Sequence, residues 1–573
     1  MMKNKTIVLE NKFTFIRSII VKLLLLLICN LHFVFGQNTA PTLQDKNEIT
    51  NLSTLCKVWG FLKYYHPNVA KGNFNWDEQL LTILPKIEKE TNKEVLSKIY
   101  LDWIDSLGAI KECKSCKKAN SKEYFEKNFD LSWTQNNNLF SEELSKKLNY
   151  IEQNRFQGKN FYVATNHHSN IEIRNEPIYE DFKFVDTNHR LLSLFKYWNM
   201  VEYFFPYKYM TDQKWDEVLI EMISKFIAAE NTAEYHLAML ETVIKLDDSH
   251  ANFYTYEIHD YFGRKYIPAY FNRIENKIVI TGFYNDSIAK INDLKKGDII
   301  EKVNGKDIMQ ILSDRKKFVN GSNDNTKFKN YNFTVFNGST DFINLTIRRH
   351  DTIIEKKIQR NEYSRKTLVH LPILYSDKYK IMDGNIGYIN LGNMGIKDVI
   401  NVMSELKSTK GIVIDLRDYP YHCMPFMIAR HFIQTKKEFA KFIEPDLSYP
   451  GKYIWKKTKF ITPLKEYYKG KVILLVNEET QSAGEYSTMI LQAGDNVTTI
   501  GSQTAGADGN ISKIEFIGYK SFMSGLGVFY PDGTETQRKG IKVDIEVNRT
   551  IEGVQKGKDE LMEKALEILK KQN

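Results

Sequence analysis

Residues 471–495 read KVILLVNEETQSAGEYSTMILQAGD, and the rest of the chain is organised around them. Lys471 to Val476 is a run of leucine and β-branched side chains, the pattern of a strand buried on both faces. It breaks into the polar Asn477-Glu478-Glu479-Thr480-Gln481, and a serine follows directly. From Ser482 the period becomes helical: Ala483 and Gly484 come first, then Tyr486, Met489, Ile490 and Ala493 at spacings of three and four. A serine at a strand-to-helix turn has its hydroxyl at the tip of a sheet, beside the first free N–H groups of the helix. That suits a nucleophile with an oxyanion site. The same residues also fit a capping box, Ser482 with Glu485 three positions on, and on this segment alone the cap is the preferred reading, because caps are common and nucleophiles rare.

At 573 residues the chain is too long for one hydrophobic core. Residues 1–36 read as an export signal: Lys3, Lys5, Lys12 and Arg17 precede an apolar run from Ile19 to Phe35, with Val34 and Gly36 suiting cleavage before Gln37. This implies a periplasmic or extracellular location in a bacterium, with no membrane span once the signal is removed, since no later stretch is long and apolar enough. The net charge of +9 falls on cleavage, because the signal carries Lys3, Lys5, Lys12, Arg17 and Lys22 against Glu10 alone. What remains is mildly basic and evenly mixed, which argues against nucleic acid as a partner. Cys113-Lys-Ser-Cys116 is expected to be a local disulfide in an exported protein. Nothing in the sequence calls for a metal or cofactor, and His167-His168 has no accompanying ligand cluster.

Upstream, one helical pattern occurs twice. Leu55 to Trp59 with Tyr64, Pro67 and Trp76-Asp77-Glu78 matches Leu194 to Trp198 with Tyr203, Pro206 and Trp215-Asp216-Glu217 at one constant offset. The second copy ends in Leu246-Asp247-Asp248-Ser249-His250, where the first has Leu107-Gly108-Ala109-Ile110-Lys111 in register. Only one copy therefore carries a Ser-His pair. The plain alternative for His250 is a histidine favoured by a helix C-terminus.

Residues 266–360 turn to short strands around Leu294-Lys-Lys-Gly297-Asp298-Ile-Ile-Glu-Lys-Val-Asn304-Gly305, a glycine turn, a strand and an Asn-Gly hairpin. That run is similar to a PDZ domain, a fold that adds an extended peptide as a strand and holds its terminal carboxylate. From Gly387 onward strands alternate with helices, which implies a mostly parallel sheet. The expected organisation is a multidomain α/β chain: signal peptide 1–36, helical copy 43–120, connecting region 121–185, second copy 186–257, PDZ-like domain 264–360 and an α/β core 375–573.

This order of parts, with LLVNEETQSAGE, IGSQTAGADGN and QRKGIKVDIEV, resembles the tail-specific (C-terminal processing) serine peptidases, in the tricorn-core-like branch. The resemblance covers roughly 190–570 and implies a crotonase/ClpP-like peptidase core acting on peptides or proteins, in part through their C-termini. One branch of that family uses a lysine about 25 residues after the serine; here that place holds Ala507. The other takes its base upstream from a Ser-His pair. The resemblance thus implies Ser482 as nucleophile, His250 as general base and Ser249 as the group orienting the imidazole. It also places an acidic residue three before Gly540, where this chain has Gln537, with Glu535 as the substitute. The oxyanion hole is expected from the N–H of Ala483 and one from the loop after Asp415-Leu-Arg417. Family members have two glycines in that loop; this chain has Tyr421 and His422. The rival expectation is a catalytically inactive relative that binds peptides or other ligands. Acyl-CoA chemistry on a similar core conflicts with the export signal.

Overall fold

Two tryptophan pairs hold the helical part of the molecule together, and each is a copy of the other. The structure, a computed structural model, describes residues 43–116, 122–179, 184–362, 377–420 and 425–571. The chain divides into two units, Met1–Glu48 and Ile49–Asn573. The expected signal at 1–36 lies outside the described residues. In the first copy, helices α1 (Leu43–Tyr65), α2 (Trp76–Ile87) and α3 (Lys93–Ser106) follow one another. In the second copy they are α4 (Thr187–Phe204), α5 (Trp215–Ala228) and α6 (Thr232–Ile244). The Trp59 indole donates to the Trp76 carbonyl and the Trp76 indole to that of Trp59, at 3.0 and 3.2 Å. Trp198 and Trp215 repeat the exchange at 2.9 and 3.1 Å.

The copies also pack on each other reciprocally. Lys57 pairs with Asp216 at 2.6 Å, and its equivalent Lys196 pairs with Asp77 at 2.8 Å. Such an exchange of equivalent contacts is how a two-fold interface is built, here within one chain. Where equivalent positions meet, one must yield: a Cβ on Gly60 would lie 1.7 Å from Oδ1 of its counterpart Asn199. Both copies share one core, which Ile514, Phe516, Met523 and Phe529 of the C-terminal part enter. Tyr197 stacks on Phe516 with centroids 4.1 Å apart.

The middle of the chain is a separately cored antiparallel sheet of β1 (Ala269–Ile274), β2 (Lys277–Phe283), β3 (Ile299–Val303), β4 (Phe342–Arg349) and β5 (Thr352–Gln359), in spatial order β5-β4-β3-β2-β1. Asn304 and Gly305 both have positive φ, 49° and 78°, as the expected Asn-Gly hairpin requires. Helix α7 (Asp324–Phe336) lies beside the edge strand β1.

The C-terminal sheet runs β6 (Tyr379–Met382), β7 (Ile386–Asn390), β8 (Gly411–Asp415), β9 (Lys471–Val476), β10 (Val497–Gly501) and, after the hairpin β11 (Ile511–Phe516) and β12 (Tyr519–Ser524), β13 (Ile545–Glu546). Its order is β6-β7-β8-β9-β10-β13, parallel except for the antiparallel edge strand β6. Central β9 is buried on both faces, which accounts for its unbroken apolar run. Helices α8 (Ala483–Gln492) and α9 (Glu560–Lys570) cover it. Among its described residues the connecting region holds a helix, Glu142–Gln153, and three short strands, Tyr124–Phe125, Val163–Thr165 and Ile171–Ile173, the last of which pairs with β11 through Glu172 and Lys513. Cys113 and Cys116 are bridged, as expected. His167 and His168 are exposed in a turn. Among the described residues no helix is long and apolar enough to cross a membrane.

Candidate active site

Ser482 sits between β9 and α8 with φ 54° and ψ −117°. A residue that only caps a helix has an extended backbone. This one is in a strained region that a non-glycine side chain occupies only where its surroundings force it, and such strain gathers at functional turns. The Ser482 N–H donates to Ala507 O (3.0 Å) and to Glu485 Oε2 (3.3 Å), so the Glu485 arm of the capping box is present. The hydroxyl donates to Gly509 O at 3.4 Å.

Glu485 holds the turn to the 504–509 loop. It is fully buried and accepts from Thr504 Oγ1 (2.5 Å), Gly506 N (2.8 Å) and Ala507 N (2.9 Å). Burial pushes its pKa up to about 7, against these donors. Gly506 has φ +65°, and a Cβ there would lie 2.8 Å from the Arg538 backbone. Asp508, also fully buried, is pushed well above the ordinary carboxyl range by burial and by Glu485. From the neighbouring strand end, Leu416 O accepts from Thr480 Oγ1 at 3.0 Å, and Arg417 is locked between Asp415 (2.6 Å) and Asp559 (2.8 Å). The chain then passes Pro420, whose Cδ is 3.8 Å from a Cβ built on Gly484. Tyr421 and His422 lie outside the described residues. Ala483 opens α8, so its N–H has no intrahelical acceptor.

The turn after α6 brings in His250. Gln481 Nε2 donates to Ser249 O at 3.4 Å, tying the two segments together. His250 is buried; its Nδ1 lies 2.9 Å from Ser524 Oγ and 3.9 Å from Asp248 Oδ1. Among the described residues its Nε2 has no hydrogen-bond partner. Burial lowers the imidazole pKa and Asp248 opposes that. Asp248 accepts from the Ser524 N–H (2.6 Å), Ser524 Oγ (3.0 Å), the His250 N–H (3.1 Å) and Gln537 Nε2 (3.2 Å).

Two expectations change here. The Ser249 hydroxyl does not face the imidazole: it donates to Ala505 O (3.0 Å) and accepts from Ser322 N (2.8 Å), joining the helical copy, the β domain and the core. Among the described residues Gln537 reaches His250 by way of Asp248. Glu535 points elsewhere, to Lys539 (2.9 Å) and Lys127 (3.1 Å); burial raises its pKa, but these partners hold it down to about 2. Asp248 and Ser524 were not singled out by sequence reasoning. Asp248 stood in the quoted Asp-Ser-His run, whereas nothing in β12 marks Ser524.

Residues 385–547 match the model of peptidase family S41. The chain carries an S41 peptidase domain. The family resemblance expected from the motifs is thereby borne out, and peptidases of family S41 are serine hydrolases. The S41 domain holds Ser482, the 504–509 loop, Ser524 and Gln537, whereas Asp248, Ser249 and His250 lie upstream of it. No curated protein matches the chain. Among solved structures, mature CPAF complexed with lactacystin has a TM-score of 0.52 at 12% identity, over 67% of this chain and 98% of its own. Mature CPAF alone gives 0.52 at 12%, over 66% and 96%. At that identity the likeness is one of fold. The tricorn protease, at 14% identity and a TM-score of 0.34 over 67% of this chain and 36% of its own, is too distant to place a branch.

Proposed function

We propose that the chain is an exported serine endopeptidase of the tricorn-like arrangement, forming an acyl-enzyme on Ser482 with His250 as general base. The observation that carries this reading is the Ser482 backbone, φ 54° and ψ −117°, at the strand-to-helix turn of the S41 domain. As Ser482 Oγ attacks the peptide carbonyl carbon, its proton passes to His250 Nε2. The C–N bond then breaks and the same proton goes to the leaving amine. A water, deprotonated by His250, attacks the ester and returns the serine hydroxyl. The Ala483 N–H receives the oxyanion, with Tyr421 N–H as second donor.

We further propose that the PDZ-like domain selects substrates by their C-termini. The Asn332 amide donates to Phe271 O (3.1 Å) and accepts from Phe271 N (2.8 Å) on edge strand β1, the pairing an added peptide strand makes. A cavity of about 200 Å³ beside it, lined in part by Tyr266, Ala269, Tyr284, Phe333 and Phe336, has room for a terminal side chain.

A second reading, a catalytically inactive binding protein, is favoured by one contact: Ser482 Oγ bonds Gly509 O and not His250. Catalytic hydrogen bonds often tighten only with substrate, and cleavage separates the readings. Wild-type protein is expected to release fragments from fluorescein-labelled casein and from a mass-read peptide pool, and Ser482→Ala is not. Equal cleavage by both, or by neither, supports the binding reading. Equal cleavage of peptides with free and amidated C-termini removes the PDZ role.

A further inference from the structure

The resemblance read from the motifs implies an acid where this chain has Gln537, and a glutamine cannot stabilise an imidazolium by charge. A carboxylate is nevertheless two hydrogen bonds from the His250 imidazole, by way of Ser524. We infer that Asp248 supplies that charge, acting on His250 through the Ser524 hydroxyl, and that Gln537 serves to hold Asp248 in place. The inference rests on the peptidase reading and deepens it.

Proton counting supports it. Ser524 has one hydroxyl hydrogen, and it is directed to Asp248 Oδ1 at 3.0 Å. An ionised carboxylate can only accept. Ser524 Oγ can therefore only accept from His250 Nδ1, 2.9 Å away, so the imidazole proton sits on Nδ1. Nε2 is left with its lone pair, and it is the ring atom with no partner among the described residues. This is the tautomer a general base must have, set by the bond its other nitrogen makes. When His250 becomes charged, Asp248 Oδ1, at 3.9 Å from Nδ1, is the carboxylate beside it.

Among the described residues, the other acids nearby are engaged elsewhere. Tyr197, from α4, has a hydroxyl pushed up by burial and by Asp248. Glu535 is held by two lysines. Asp247, next in sequence, pairs with Lys327 at 3.0 Å. Asp248 has four donors and is 1% exposed, so it is fixed and shielded from water. In the S41 domain, then, a departure at 537 is offset by an aspartate carried on the second helical copy, next but one to the histidine it serves.

The test uses the second-order rate of labelling by a fluorophosphonate between pH 5 and 9, on the full chain, with circular dichroism to confirm folding. Asp248→Asn and Ser524→Ala are expected to label at least about 100-fold more slowly at pH 7 than wild type, a smaller loss than the roughly 10,000-fold that follows when a triad imidazole loses its directly bonded acid. With the Asp248 charge gone, the acid limb of the Asp248→Asn profile should move to lower pH; a merely structural loss would not move it. Gln537→Glu separates this assignment from the simpler idea that position 537 is a lost acid. It replaces a donor on Asp248 Oδ1 with a second carboxylate, so it should label more slowly than wild type. The assignment is overturned if Gln537→Glu labels faster, or if Asp248→Asn and Ser524→Ala keep the wild-type rate within roughly 3-fold and the same acid limb. Should Asp248→Asn fail to fold, Ser524→Ala and Gln537→Glu decide the matter. If wild type and Ser482→Ala label equally, the peptidase reading itself has failed.

Discussion

Replacing Ser249 by alanine distinguishes a residue that joins domains from one that aims the imidazole. Its hydroxyl accepts from Ser322 N at 2.8 Å and donates to Ala505 O at 3.0 Å. After Ser249→Ala the Ala505 carbonyl keeps a donor in Thr326 Oγ1 at 3.3 Å, but the Ser322 N–H loses its acceptor in a buried place. Leaving one buried donor unmade costs about 1–3 kcal/mol, and the lost bond to Ala505 adds a fraction of that. The Ser249 N–H bond to Ser322 Oγ, 2.8 Å, is untouched. We expect the first unfolding transition in urea, followed by tryptophan fluorescence, to weaken by about 2–3 kcal/mol. His250 keeps its bond to Ser524, so fluorophosphonate labelling per folded molecule should stay within about 10-fold of wild type. Unchanged stability together with a loss of labelling beyond about 100-fold would refute this reasoning and return Ser249 to the role of orienting His250.

Two further perturbations reach other parts of the molecule. His66 is fully buried, accepts from the Asn68 N–H at the start of a short helix, and has its pKa lowered to about 4 by burial first and Lys147 second. A lowered imidazole pKa favours the neutral ring in the fold, so its contribution is complete above the unfolded value of about 6.5 and is lost as pH falls through about 4. Wild type should therefore lose about 3 kcal/mol more stability between pH 7 and 4 than His66→Asn, which keeps a capping acceptor without the charge; parallel urea profiles over that window would contradict this. Asn332→Ala uncovers both Phe271 backbone groups. It should tighten binding of a fluorescein-labelled decapeptide with an apolar free C-terminus by roughly 5- to 30-fold in anisotropy titrations, since about 1–2 kcal/mol of competing hydrogen bonds is gone; unchanged affinity would remove Asn332 as a competitor.

What could be read in the sequence was mostly local. The strand and helix flanking Ser482 follow from side-chain period, and the Asn304-Gly305 hairpin from a dipeptide that takes positive φ twice at low cost. The duplication was visible because the paired tryptophans recur at a constant offset, and their reciprocal indole bonds show why both are needed. The Ser482 dihedrals had no sequence signal, since a cap and a strained elbow share the same letters. Nor had the link from Asp248 to Ser524, two polar residues 276 positions apart that meet only because Tyr197 and Phe516 seat the helical copy on the core. Motif analogy put Ser249 on the ring, but three domains converge there and their backbone groups claim its hydroxyl. The helix at Glu142–Gln153 lay hidden in a segment whose many polar residues masked its apolar face of Leu144, Leu148 and Ile151.

The central claim is that Ser482 is a nucleophile activated by His250. Mass mapping of the adduct after reaction with diisopropyl fluorophosphonate tests it most directly. The account predicts a single phosphorylated site at Ser482 in wild type, no adduct in Ser482→Ala, and labelling at least about 100-fold slower in His250→Ala. An adduct elsewhere, or labelling of His250→Ala at the wild-type rate, would contradict it.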